Sequence, residues 1–171
     1  MQIPDQNDWP ILQEMMKERD RGAALIGAGF LDRKLREAIE SCLREDKATR
    51  HRMFKPSGPF GGTFNKALLG YMLGLYRKET LDDIELIGEI RNKFAHEPDP
   101  IDFEFEYVKD RALKLKLFDR VWNEIPVPEA RPKKPEKARG LYLETISLVA
   151  NWLHHQATHP GIFRNRDDLP F

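Results

Sequence analysis

The chain of 171 residues is short of several things, and each shortage excludes a class of protein. It has one cysteine, Cys42, so no intrachain disulfide framework can hold it. The expected role of Cys42 is that of a small core hydrophobe in a reducing compartment. No apolar run approaches the roughly 20 residues that a membrane-spanning helix needs, so no membrane partner is expected. The first residues lack the basic-then-apolar pattern of a leader, and the expected location is cytoplasmic. There is no excess of charge: 28 basic and 28 acidic side chains balance. A strongly basic nucleic-acid binder is therefore not indicated, and any such contact would need a local patch. No internal repeat and no low-complexity tract is present.

What remains is a chain 40% apolar and 33% charged, the balance of a helical globular protein rather than a disordered one. The spacing predicts helices over Trp9–Arg19, Asp20–Glu45, Thr63–Leu75, Glu79–Pro98, Val108–Trp122 and Gly140–His155. The Glu79 helix has the clearest pattern. Thr80 is its expected cap, Asp82 and Asp83 suit its first turn, Ile84, Ile87, Ile90 and Phe94 form one apolar face, and Pro98 stops it. In the Asp20 helix, Gly22, Gly27 and Gly29 suit a buried helix whose neighbours approach closely, with Asp20 as its expected cap. A nucleotide-binding reading of GAALIGAG lacks both the preceding strand and the Gly-Lys-Ser/Thr end.

The connections carry charge of alternating sign. Asp46–Lys55 holds four bases and one acid, with Met53 and Phe54 interleaved. It reads either as a solvated loop pinned by Phe54 or as a contact for a polyanion or acidic partner through Lys47, Arg50, Arg52, Phe54 and Lys55. Glu97–Glu106 holds five acids and no base, alternating with Ile101, Phe103, Phe105 and Tyr107. Without a partner strand, it reads as an extended segment over a hydrophobic seam. Pro126–Arg139 has four prolines and reads as a basic surface linker. His154, His155 and His159 cluster near the end of the last helix, but adjacent helical histidines diverge and no metal is expected. The expected architecture is all-α: a compact bundle of five or six helices around the Asp20–Glu45 and Glu79–His96 pair. It comprises a core over 1–125, a linker over 126–140, and a last helix and tail over 141–171 packed on the same core as a single domain.

Two resemblances follow. RGAALIGAGFLDRKL, DKATRHRMFKPSGPFGGTFNKALLGYMLGL and IGEIRNKFAH, in order from Arg21 to His96, resemble the mannitol operon repressor family. That resemblance implies a bacterial transcriptional regulator. The sequence shows no two short helices around a tight turn with a basic recognition helix, so regulation is expected through a protein partner, and direct DNA binding is not. Arg91-Asn92-Lys93-Phe94-Ala95-His96 is similar to the motif of HEPN domains, many of which are metal-independent ribonucleases acting as dimers. In that resemblance His96 is the acid or base, Arg91 stabilises phosphate charge and Asn92 orients both. The competing reading has Asn92 and His96 capping a helix end and Arg91 paired with Glu89 or Glu97. No cofactor is expected, a homodimer and RNA stay open as partners, and an enzyme is the less favoured reading.

Overall fold

The computed structural model describes residues 8–124, 135 and 137–159. Eight helices make up its regular structure: α1 Trp9–Lys17, α2 Asp20–Ser41, α3 Lys47–Phe54, α4 Thr63–Met72, α5 Lys78–His96, α6 Glu106–Leu113, α7 Leu117–Glu124 and α8 Ala138–Thr158. No strand occurs among the described residues, and no described helix is long and apolar enough to cross a membrane. The all-α bundle is as expected.

The centre of the bundle differs from the expected pair. α2 packs most extensively on α8, with α1, α4 and α5 arranged around α2. The reason lies in α8, which buries Tyr142, Ile146, Val149, Ala150 and Leu153 along one flank and Trp152 on another. Buried polar tips fix the register. The Tyr142 hydroxyl donates to the Ala24 carbonyl at 2.9 Å, and the Trp152 indole donates to the Leu75 carbonyl at 2.7 Å. The Tyr76 hydroxyl donates to the Ala67 carbonyl at 2.6 Å, tying the α4–α5 turn to α4. That turn passes through Gly74 at φ 74°, a left-handed position suited to glycine.

Several boundaries shift for physical reasons. α2 ends at Ser41, and Asp46 caps a separate helix, α3, by accepting from the Ala48 and Thr49 amides. Cys42 follows α2 at the surface rather than in the core. The caps expected at Asp20 and Thr80 are inside their helices; Arg19 and Arg77 hold the cap positions. Asp20 instead accepts from the Phe103 amide and from Arg139, tying α2 to two distant segments. The expected Val108–Trp122 helix is two helices. Asp83 of α5 accepts from the amides of Lys116 (3.1 Å) and Leu117 (2.8 Å), so a carboxylate from another helix starts α7.

The acidic–aromatic stretch covers a seam, as expected. Phe103 is buried between Phe94 and Tyr142, with ring centroids at 5.1 and 5.2 Å. Of the linker, Pro135, Lys137, Ala138, Arg139 and Gly140 are described, the last three as the start of α8. Its remainder and the tail beyond His159 lie outside the described residues.

Candidate site: an open trough beside the end of α5

The clear apolar pattern of α5 buries Ile84, Ile87, Ile90 and Phe94, which turns the opposite side of the helix outward. Between the two sides Glu85, Gly88, Arg91 and Asn92, together with the edges of Ile84 and Ile87, border an open trough of about 730 Å³. Leu25, Ala28 and Gly29 of α2 form its floor, and Thr63, Phe64 and Ala67 of α4 form a bank. The trough exists because side chains are missing from it. A Cβ on Gly29, Gly62 or Gly88 would meet nothing within 4 Å. Beyond Phe64, α4 leaves Leu68, Tyr71 and Met72 exposed in a row, with Phe64 at 58% and Met72 at 69%.

Most charges at the rim are already matched. Asp32 accepts from Thr63 at 2.6 Å and pairs with the buried Lys66 at 2.8 Å. Glu89 pairs with Arg111, whose guanidinium also lies 3.3 Å over the Tyr107 ring. Glu97 pairs with Lys93. Glu85 and Arg91 have no ion-pair partner among the described residues; Arg91 donates only to Asn92 Oδ1 at 3.1 Å.

The pairing of Arg91 with Glu89 or Glu97, needed by the helix-capping reading, is therefore absent, because other bases hold both acids. The end of α5 is satisfied from elsewhere: Arg21 donates to the Glu97 and Asp99 carbonyls, both at 2.8 Å. Arg91 and Asn92 line the trough together, whereas His96 is exposed but is not part of its lining.

The other sequence candidates divide. Phe54 is buried against Phe60 and under Arg36, so it anchors the segment. Arg50 donates to the Leu43 and Arg44 carbonyls, closing the end of α2. Lys47, Arg52 and Lys55 remain exposed. Arg139 is held by Asp20 and by the Met16 and Glu18 carbonyls. The His155 and His159 rings stack at 4.7 Å, with Trp152 stacked on His155. Among the described residues no group of three or more His, Cys, Asp or Glu side chains could hold a metal.

No sequence-family model matches the chain, and no curated protein matches it. A solved structure does: a chain in the X-ray structure of the MtlR-HPr complex from Escherichia coli, with a TM-score of 0.66 and 14% identity. The match covers 87% of this chain and 99% of that one. The fold is MtlR-like. Since 87% of the chain is superimposable, the MtlR-like fold takes in most of the bundle that carries the trough, at an identity that speaks for the fold alone.

Proposed function

We propose that this protein is a bacterial transcriptional regulator of the mannitol-repressor type, working as one cytoplasmic unit through contact with a protein partner. The observation that supports this reading is the shared fold with a chain from a structure that is itself a protein–protein complex. The exposed bases on and just after α3, Lys47, Arg52 and Lys55, supply the contact surface. α3 is short and is held by its Asp46 cap and the Phe54 anchor, so those side chains are presented on a fixed helix. Direct DNA binding fits less well, because Arg50 and Arg139 are consumed by backbone carbonyls and an acid.

Titration with purified HPr by calorimetry tests the reading. Saturable binding is expected, weakened about tenfold by Arg52→Glu together with Lys55→Glu, since each 1.4 kcal/mol is a factor of ten. A mannitol-operon reporter that responds identically with and without the protein would remove the regulatory reading.

A second reading is kept for one observation: Arg91 is free of acids and His96 is open to solvent. A metal-independent ribonuclease would use His96 to move the 2′-hydroxyl or leaving-group proton, with Arg91 and Asn92 at the phosphate. Single-stranded RNA incubated with chelator should then acquire 2′,3′-cyclic phosphate ends, and His96→Ala should abolish them. Uncleaved RNA would discard this alternative.

A further inference from the structure

Two mid-helix glycines border the trough without an internal reason for being there. Glycine is among the least favourable residues inside a helix. Close packing explains Gly27, whose added Cβ would lie 2.8 Å from Ile146 Cδ1 and 2.8 Å from Met15 Sδ, and Gly70, where it would meet Tyr76. At Gly29 and Gly88 it would meet nothing. The chain itself leaves the space beside both glycines unfilled.

The charges around Gly88 say what fits. Glu85 lies three residues before it and Arg91 three after, both bordering the trough and both without an ion-pair partner among the described residues. At 3.6 residues per turn, three residues amount to about 4.5 Å along the axis and a lag of about 60° around it. Glu85 and Arg91 are therefore displaced equally and oppositely from Gly88. A two-fold axis lying over Gly88, at right angles to the Glu85–Arg91 line, would set each Glu85 against the Arg91 of a second copy. The same face carries both the trough and the uncovered apolar row from Phe64 to Met72. A self-complementary surface of this sort is what an isologous interface requires.

We propose that this protein forms a two-fold homodimer through the α2–α4–α5 face, centred on Gly88, with reciprocal Glu85–Arg91 ion pairs between copies. Phe64 of each copy covers the trough of the other. Glu85 of one copy then joins Arg91 and Asn92 of the other, so the Arg91 site is completed only in the dimer. This pairing is independent of the mannitol-repressor reading and leaves the α3 bases free.

Sedimentation of the full chain over a range of concentrations tests it. The expected result is a reversible equilibrium between the 20.0 kDa chain and twice that mass. Gly88→Gln places a side chain in the trough, from a Cβ that meets no atom of the chain, and should weaken dimerisation about tenfold or more. Glu85→Arg should weaken it similarly by placing like charges opposite one another, and Glu85→Arg combined with Arg91→Glu should restore it. The helical circular dichroism of each variant should match that of the parent. A chain that stays monomeric at every concentration, with the trough left to a foreign helix, would overturn the pairing. So would a dimer indifferent to Gly88→Gln, or a charge swap that fails to restore what Glu85→Arg removed.

Discussion

Gly27 and Gly29 lie two residues apart on α2 and meet opposite surroundings. Gly27 faces the seam with α8, where an added Cβ would lie 2.8 Å from both Ile146 Cδ1 and Met15 Sδ. Gly29 opens onto the trough, where an added Cβ would meet nothing within 4 Å. The seam is therefore a place where the chain explains itself, and the trough a place where it does not. A stability measurement should separate the two faces by sign as well as by size.

The largest effect belongs to the seam. Ile146 is fully buried against α2, and Ile146→Ala should lower the free energy of unfolding by about 2–5 kcal/mol in urea titrations, the range for such truncations in closed cores. A loss below about 1 kcal/mol would mean that the seam is loosely packed and that the comparison with the trough fails.

The next effect depends on pH and concerns two acids of α5 with different fates. Glu85 faces the trough, while Asp83 is buried and starts α7. Burial pushes the Asp83 carboxyl up from the ordinary 3.8 to about 6, against the pull of the Leu117 and Lys116 amides, and Glu79 adds to the rise. The folded state thus holds the proton more tightly than the unfolded state. The stability from this source is fully present below pH 3.8 and is lost as pH rises through about 6. The loss is on the order of 2–3 kcal/mol at 1.36 kcal/mol per unit. Asp83→Asn should flatten the stability profile in that window. An identical profile for parent and Asp83→Asn would show that Asp83 does not titrate there.

How much of this could be read from the sequence depends on how local the cause was. Ile84, Ile87, Ile90 and Phe94 are neighbours on one helix, and their spacing marked α5 and its buried face correctly. α3 escaped because Phe54 is its one buried residue and its cap, Asp46, lies in a run of charge without amphipathic period. The break between α6 and α7 escaped because Asp83, which causes it, is 33 residues from Lys116. The glycines of GAALIGAG suggested close approach. That is true of Gly27 and not of Gly29, and the difference depends on α8, more than a hundred residues away. Arg91 and Asn92 stood out as a motif. That Arg91 has no acid became visible only once Arg111 and Lys93 were seen to occupy Glu89 and Glu97.

Overpacking gives a smaller effect on the same contrast. Gly27→Leu should destabilise by about 1–3 kcal/mol, because Ile146 and Met15 must leave their places. Gly29→Leu should cost far less, because its Cβ meets nothing within 4 Å. Both variants gain the same helix propensity, so their difference isolates the packing of the seam from the backbone.

The smallest effect has the opposite sign. Gly88→Ala adds a methyl group where nothing stands within 4 Å, in the middle of a 19-residue helix. The gain should be up to about 1 kcal/mol, from the backbone freedom that alanine removes from the unfolded chain. Thermal unfolding at a concentration where the chain is monomeric reads this term alone. At high concentration the same methyl group lies on the proposed two-fold axis, so the gain should shrink as the dimer becomes populated. A gain that is equal at both concentrations would mean that Gly88 is as open in the assembly as in the single chain. A loss at low concentration would mean that the trough is not open at all, and that the contrast between Gly27 and the trough glycines does not hold.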